Sequence, residues 1–447
     1  MLRRALLAAT LAAFASLLVA AAAGAVLVPT GYNPKGLPTA GCFWTGPFVS
    51  SDPKTNTAYP SEDVLYMGAN FRIPAGGHLT LTGRYVHGRY ESFNAYRNDG
   101  QATTSLTDVD IRPDKGSVNP FITGHRRDLP DARRRFSVQV AGSEAPASPA
   151  GNTLYAPTGG AGTYSDILYR VYLPDRGRDR LGGEPLPTPK LTLADGTVLT
   201  GQAMCDALNS NHDYKSGAIS QALFDTLVHS PGQDPKTNPA LPKPVFEAFF
   251  NIPYLLAQYR GPAAVAAADP SKTGGLYNNH DVSYVTAQVS LLYGRVIVLH
   301  AKAPTTARTY PAARRMPSGQ LRYFDFCHYE SLVTTSTYHC LNDQEIPLNR
   351  RHEYTIVYAK AADRPRNATT KCGVAWLPFD PKGDGAGRVD SGGVSMRALL
   401  PAKGFRQSPA RIAKPGTAKQ VMGAYLPDAT YTSKKAFEKR GCRGAAL

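Results

Sequence analysis

The sequence lacks the short motifs that identify most enzymes and nucleic-acid-binding proteins. It contains no Gly-x-Ser-x-Gly, no His-Glu-x-x-His and no phosphate-binding loop. It also has no nucleic-acid-binding motif, and its cysteines are not spaced as four zinc ligands. We therefore predict no cofactor and no nucleic-acid partner. Whether the protein is an enzyme cannot be decided from motifs.

Long apolar runs are also scarce, because only the N-terminus carries one. There, Arg3 and Arg4 precede the run, and small residues follow at Ala21, Ala23 and Ala25. This order is typical of a secretory signal peptide. We predict a signal at residues 1–25, cleaved near Ala23 or Ala25, and no transmembrane segment after cleavage. A retained anchor is the alternative, since the run approaches the length of a membrane span.

Cysteine usage and charge agree with export. All six cysteines lie beyond the signal, and an even number in an exported chain predicts up to three disulfides. The formal net charge is +16, and such a surplus favours partners such as an anionic envelope polymer or a glycan. We therefore place the protein in the secreted or cell-envelope class. Its oligomeric state is not predicted.

The most informative feature that is present is an internal repeat. The pattern Arg-Tyr-x-x-Phe-x-x-Tyr occurs twice, beginning at Arg89 and at Arg322. Four further stretches recur downstream in the same order: LTDVDI with LNDQEI, RRFSVQV with HEYTIVY, LYAP with AWLP, and YRVYLP with MRALLP. Five collinear matches indicate a tandem duplication. Short alternating strands between Gly, Pro, Asn and Asp residues predict a β-sandwich in each copy.

We therefore predict a mainly β protein with two tandem jelly-roll or β-sandwich domains. The expected bounds are 42–200 for the first copy, 201–274 for a helical linker region, 275–430 for the second copy and 431–447 for a C-terminal tail. The linker prediction rests on helical spacing in segments 206–230 and 245–260. The repeat predicts that Arg170 is equivalent to Arg397 and Tyr90 to Tyr323. The three-residue spacing from Tyr90 to Phe93 further predicts a bulge or a strand end.

The close of the second copy, AWLPFDPKGD followed by VSMRALLP, resembles that of an exported bacterial envelope family. This family consists of the paired domains of unknown function 1254 and 1214, and its motif is Trp-Leu-Pro-x-Pro with a later Arg-x-x-x-Pro. The matching positions here are Trp376, Leu377, Pro378, Arg397 and Pro401. The chain departs by having Phe379-Asp380-Pro381 where the family runs directly to its second proline. The resemblance implies a double jelly-roll-like fold and an envelope location, and it carries over no catalytic residue.

Three groups of residues are candidates for a site. The repeated pairs Arg89 with Tyr90 and Arg322 with Tyr323 either fill a core twice or form a stacking platform that binds a ligand. His280 and Asp281 lie in NNHDVSY, where they could act as acid and base or stabilise a turn.

Carboxylates two residues apart form the third group, at Asp108 with Asp110 and at Asp343 with Glu345. On a strand this spacing places both carboxylates on one face, which is what a calcium site or a glycosidase needs. A bound divalent metal therefore stays an open alternative. Repetition of the pair in both copies favours a structural role.

Two classes of function remain. The first is an exported binding protein that holds a glycan or another envelope ligand in the sandwich loops or in the cleft between the copies. The second is a secreted hydrolase, with carbohydrate as its candidate substrate, that uses Asp281, His280, Asp343 or Glu345. A structural or assembly protein is a third option.

One disulfide is predicted from the repeat. Cys327 and Cys340 flank a segment whose first-copy equivalent carries Asn98-Asp99-Gly100, a hairpin signal. Cysteines on neighbouring antiparallel strands can reach the Cβ separation that a bridge requires. The remaining four cysteines, at positions 42, 205, 372 and 442, allow three pairings that the sequence leaves open.

Overall fold

The computed structural model describes residues 25–27, 41–97, 100–158, 163–211, 213–215 and 217–446. Except for Ala25, the predicted signal peptide lies outside these residues. The described chain is mainly β and forms two β-sandwich halves, which confirms the predicted fold class.

The first half contains two five-stranded sheets. Its front sheet has the order β2-β3-β9-β5-β6, and its back sheet has the order β11-β10-β4-β7-β8. The strands are β2 (Thr45–Phe48), β3 (Val64–Phe71), β4 (His78–Arg84), β5 (Gly88–Arg97), β6 (Ala102–Thr107), β7 (Arg135–Ala141), β8 (Thr153–Tyr155), β9 (Ser165–Pro174), β10 (Thr188–Thr192) and β11 (Val198–Leu199).

The second half repeats this plan. Its front sheet has the order β13-β14-β20-β16-β17, and its back sheet has the order β19-β18-β15-β21. The strands are β13 (Glu247–Ala248), β14 (Val282–Ser290), β15 (Val296–Lys302), β16 (Leu321–Tyr329), β17 (Thr337–Asn342), β18 (Glu353–Ala359), β19 (Ala375–Pro378), β20 (Ser391–Pro401) and β21 (Asp428–Thr432).

The remaining elements are short. Strands β1 (Ala25–Leu27) and β12 (Asp213–Lys215) form a two-stranded sheet. The α-helices are α1 (Gly201–Ala207), α2 (Gln221–Val228), α3 (Ile252–Gln258), α4 (Pro262–Ala267), α5 (Ala418–Met422) and α6 (Lys434–Glu438). None of the described helices has the length and apolar character needed to cross a membrane.

The helical prediction for segment 245–260 is wrong in its first part. Phe246, Ala248 and Phe250 are buried, whereas Glu247 and Phe249 between them are half-buried. That two-residue alternation belongs to a strand, and β13 forms there by pairing with β14. The helix begins only at Ile252, after Asn251 accepts a hydrogen bond from the Tyr254 amide as its N-cap.

Strand pairing makes the two halves equivalent residue by residue. Arg170 on β9 lies opposite Tyr66 on β3 and Ser92 on β5. Arg397 on β20 lies opposite Tyr284 on β14 and Asp325 on β16. The predicted equivalence of Arg170 with Arg397 therefore follows from the register.

The repeated aromatic pattern lies on equivalent strands with equivalent irregularities. The ladder between β5 and β6 shifts register between Asn94 and Tyr96. The ladder between β16 and β17 shifts between His328 and Tyr329. Both copies thus carry a register shift after the phenylalanine of the pattern. The predicted bulge between Tyr90 and Phe93 is absent, because the ladder between β5 and β9 is regular there and the two rings lie on opposite faces of the sheet, Tyr90 between the front sheets and Phe93 in the core of the first half.

Three hydrophobic cores account for the packing of the sheets. One core lies between the two sheets of each half, and a third lies between the two front sheets. Every residue of β3 is buried, because one face of this strand packs into its own sandwich and the other against the second half. Its equivalent β14 is only alternately buried, so the outer face of β14 is partly uncovered.

The structure contains three disulfides, with the pairs Cys42–Cys205, Cys327–Cys340 and Cys372–Cys442. Cys327 and Cys340 lie directly opposite each other on β16 and β17, as the hairpin argument predicted. The other two bridges tie α1 to the start of the first half and the C-terminal segment to the second half.

A buried carboxylic acid lies in the first half. Glu91 on β5 accepts hydrogen bonds from the Tyr169 hydroxyl at 2.5 Å and from the Val86 amide at 3.4 Å. Burial raises the pKa of Glu91 from 4.5 to about 8, although the hydrogen bond from Tyr169 works in the opposite direction. The folded protein therefore holds a proton here that the unfolded chain has already released.

This proton makes stability depend on pH. Between the unfolded pKa of Glu91 and its folded pKa, the folded state binds one more proton, so we expect this group to lower the free energy of unfolding by about 1.4 kcal/mol for each unit of rising pH. Glu91→Gln should remove this slope in urea unfolding between pH 5 and pH 8. Glu144→Gln, at a mostly exposed side chain, is the control. An unchanged slope in Glu91→Gln would show that Glu91 is already ionised in the folded state.

Candidate functional site

Two buried ion pairs join the front sheets across the junction between the halves. Arg89 of the first half pairs with Asp343 of the second. Arg322 of the second half pairs with Asp108 of the first at 2.7 Å. Arg89 is equivalent to Arg322 and Asp108 to Asp343, so the two pairs are related by an approximate two-fold exchange. All four side chains are at most 8% exposed, which makes the pairing mutually obligatory.

Arg170 of the first half also contacts the second half, but through neutral groups instead of a carboxylate. It donates to the Tyr96 hydroxyl of its own half at 2.5 Å and to the Tyr277 carbonyl at 2.6 Å. Tyr277 precedes the second front sheet and has a left-handed φ of 54°. Such a backbone conformation persists in a non-glycine residue only where its surroundings fix it.

Arg397 makes the equivalent contacts. It donates to the Tyr329 hydroxyl at 2.8 Å and to the Tyr59 carbonyl at 3.1 Å. Tyr59 also has a left-handed φ, of 55°. Each half therefore supplies a strained tyrosine carbonyl to the buried arginine of the other.

The approximate symmetry fails at one place, where a pocket of about 100 Å³ opens above β14 and β20. We call it the open pocket. Its floor is formed by alternate residues of the two strands, namely Tyr284, Thr286, Gln288, Gly393, Ser395 and Arg397. Its aromatic walls are Tyr59, Phe249, Tyr284 and Tyr329. The rings of Tyr59 and Tyr329 are 4.9 Å apart.

Polar groups on the floor lack partners. The buried Ser395 hydroxyl has no hydrogen-bond partner within the described structure, and leaving such a group unpaired costs about 1–3 kcal/mol. In the first half, the Asn70 amide donates to Asp166. Gln288 occupies the equivalent of Asn70, but Gly393 occupies the equivalent of Asp166, so Gln288 has lost that partner.

In the first half, the equivalent space is filled by the Tyr214 ring. Its hydroxyl donates to the Ile167 carbonyl at 3.1 Å, and its ring centroid lies 5.3 Å from that of Phe48. Gly68 makes this possible, because a Cβ there would come within 2.5 Å of the Tyr214 ring. The second half has Thr286 in place of Gly68 and no tyrosine in this position. One half thus carries a closed pocket and the other an open one.

The predicted carboxylate pairs do not share a strand face. Asp108 with Asp110 and Asp343 with Glu345 lie in turns after β6 and β17. Asp343 is buried against Arg89 and accepts from the Thr306 hydroxyl at 2.5 Å, whereas Glu345 is exposed and caps the Asn342 amide at 2.9 Å. The structure gives these residues structural contacts, because the turn separates the two side chains.

The other predicted catalytic residues border the junction. The Tyr90 hydroxyl donates to Asp281, and burial raises the pKa of Asp281 to about 6. The backbone amide of His280 donates to Asn94 at 3.3 Å. Burial, followed by the charge of Arg170, lowers the pKa of the His280 imidazole. The two side chains do not line a common pocket among the described cavities.

The predicted binding residues are covered by protein. Arg89, Tyr90 and Tyr323 are fully buried and Arg322 is 7% exposed. A stacking platform needs an accessible ring face, so these residues hold the halves together instead.

Metal-ligating side chains come together twice in the described part of the chain. One group consists of Asp325 with the disulfide partners Cys327 and Cys340. The other consists of His87, Asp131 and Glu184, where Arg84 and Arg134 already bind the Glu184 carboxylate. In the first group the two sulfurs are bonded to each other, and in the second the arginines occupy the Glu184 carboxylate, so a cation would have to displace existing bonds in either.

Comparison with known proteins adds little beyond the fold. No family model matches the chain, and no curated protein matches it. An uncharacterized protein from Burkholderia cenocepacia has a similar structure, with 13% identity and a TM-score of 0.48 over 89% of this chain and 83% of that chain. The VPA0106 protein from Vibrio parahaemolyticus has 9% identity and a TM-score of 0.37 over 83% and 89%. Likenesses this distant carry no argument about function.

Breaking one crossed ion pair should destabilise the whole protein. Asp343→Asn leaves the Arg89 charge buried without its partner, so we expect a loss of about 3–5 kcal/mol in the free energy of unfolding. The double variant Arg89→Met, Asp343→Leu should lose less than the sum of its single variants. Glu353→Gln, in a pair whose arginine is 71% exposed, is the control and should cost far less, because solvent screens an exposed pair. Additive effects in urea unfolding would contradict the coupling.

Removing the ring that closes the first-half pocket should leave a cavity. Tyr214→Ala deletes a buried aromatic side chain, and such deletions cost about 3–5 kcal/mol. Tyr338→Ala, at a side chain that is 42% exposed, is the matched control and should cost far less. Equal thermal stability of the two variants would show that Tyr214 does not fill the pocket.

Proposed function

We propose that this protein is an exported glycan-binding protein and that its binding site is the open pocket. The N-terminal sequence and the three disulfides support export, since disulfides persist in oxidising compartments. The open pocket supports binding, because it leaves unfilled in the second half the space that the Tyr214 ring fills in the first.

The chemistry of the open pocket suits a hydroxylated ring. Its aromatic walls offer apolar faces to the C–H groups of a sugar, and its floor offers the hydroxyls of Thr286 and Ser395 and the amide of Gln288. Ligand sites usually combine such apolar walls with a few placed polar groups. Sugar hydroxyls would give the unpaired Ser395 hydroxyl the partner that the protein does not provide.

Binding is favoured over hydrolysis by the carboxylates. A glycosidase needs two carboxyl groups about 5–10 Å apart across the bond that it cleaves. Glu330 is the single carboxylate among the residues lining the open pocket. One of its carboxyl oxygens lies beside Gly385 and Thr334, as a Cβ at Gly385 would touch both. The hydrolase alternative therefore lacks a second acid in this pocket.

Gly393→Asp tests the proposal, because it introduces into the open pocket the aspartate that the closed pocket has at the equivalent position, Asp166. An added Cβ at Gly393 would meet its neighbours at 3.6 Å or more, so the fold should tolerate the change. The new carboxylate would engage Gln288, as Asp166 engages Asn70. We expect glycan-array hits of the natural protein to lose at least tenfold in affinity, which corresponds to about 1.4 kcal/mol.

The control is Gly404→Asp, which makes the same change at an exposed position with nothing within 4 Å of the added Cβ. It should keep full affinity in calorimetric titration. The proposal is wrong if the natural protein binds no glycan on the array, or if Gly393→Asp binds as tightly as Gly404→Asp.

A further inference from the structure

A second, larger cavity adjoins the open pocket. It measures about 500 Å³ and is bordered by residues from the segment before β14, from β14 itself and from the loop after β20. Phe249, Asn278 and Tyr284 line both cavities. These three residues therefore lie between the two cavities, and an oligosaccharide that spans them would occupy both.

The lining of this second cavity has one sign of charge. Lys272 and His280 border it, and among the residues that the structure describes no aspartate or glutamate does. No ion pair reaches Lys272 within the part of the chain that the structure describes, and its ammonium lies 5.8 Å from the centre of the Phe250 ring. Lys272 is exposed at the edge of the cavity, where its ammonium can reach a ligand, and partial burial of its side chain lowers its pKa.

The type of cationic side chain in the second cavity indicates which anionic group it would bind. Phosphate and sulfate groups are commonly bound by arginine forks or helix N-termini, which offer several donors at once. The second cavity offers a single lysine together with neutral donors such as Ser283 and Asn279. One ammonium with a few neutral donors suits a singly charged carboxylate.

We propose that the second cavity is a subsite for a uronic acid, so that the ligand is an acidic oligosaccharide with a neutral ring in the open pocket and a carboxylate-bearing ring beside Lys272. This assignment rests on the proposed glycan-binding function and names the class of glycan. It also gives a specific place to the affinity for anionic partners that a net charge of +16 indicates.

The test uses tetrasaccharides in which a uronic acid alternates with a neutral ring, from hyaluronan and from unsulfated chondroitin, and compares them with the same tetrasaccharides after reduction of their carboxylates to alcohols. The natural protein should bind at least one acidic form tenfold or more tighter than its reduced form. Lys272→Gln should lower affinity for the acidic form to that of the reduced form and leave the reduced form unaffected. Lys371→Gln, at another exposed lysine without an ion pair among the described residues, should change neither.

The outcomes separate the two proposals. If acidic and reduced forms bind equally and Lys272→Gln has no effect, the uronic-acid subsite is wrong while the open pocket stands, provided that Gly393→Asp still abolishes binding. If a sulfated tetrasaccharide without carboxylates binds as tightly as the acidic forms, the assignment of a carboxylate is wrong. If no form binds the natural protein, the glycan-binding function itself fails.

Discussion

The crossed pairing of Arg89 with Asp343 and of Arg322 with Asp108 is the constraint on which the arrangement of the two halves depends. Each half buries an arginine that only the other half can neutralise, and a buried charge without a partner is far more costly than the pair is favourable. The front sheets must therefore face each other in one register. That register places Arg170 and Arg397 next to the strained carbonyls of Tyr277 and Tyr59, and it fixes the space left between the sheets.

The side chains that fill this space differ between the two halves, and a few substitutions account for the difference. Gly68 admits the Tyr214 ring in the first half, whereas Thr286 stands in its place in the second. Leu168 and Asp166 cover the strands beneath the closed pocket of the first half. At the equivalent positions of the second half, the smaller Ser395 and Gly393 leave the floor of the open pocket uncovered. The binding site proposed above is therefore the place where the second half lacks side chains that the first half has. Tyr59, Tyr329 and Arg397, which make contacts between the halves, line it.

The sequence predicted the parts of this structure that depend on local pattern. Alternating strands, the duplication and the bridge between Cys327 and Cys340 all follow from spacing within one copy or from comparison of the two. It could not predict that Asp343 would meet Arg89, because a contact between copies leaves no periodic signal in the chain. The two-residue spacing of the carboxylates suits a strand, but the ladders end just before both pairs, and the spacing alone carries no sign of where a ladder ends. The site residues did carry a signal, since SDILYR in the first copy aligns with GGVSMR in the second and exposes the changes to Gly393 and Ser395.

The reciprocal contacts have a consequence for the ancestry of the chain. In a symmetric homodimer, residue i of one subunit contacts residue j of the other, and j contacts i in return. The two crossed ion pairs obey this rule within a single polypeptide, which is the arrangement expected when the gene of a self-associating half-length protein is duplicated and fused. Such an ancestor would have presented two identical pockets. In a fused chain the two pockets can differ, as they do here, whereas a point mutation in the gene of a homodimer changes both pockets alike.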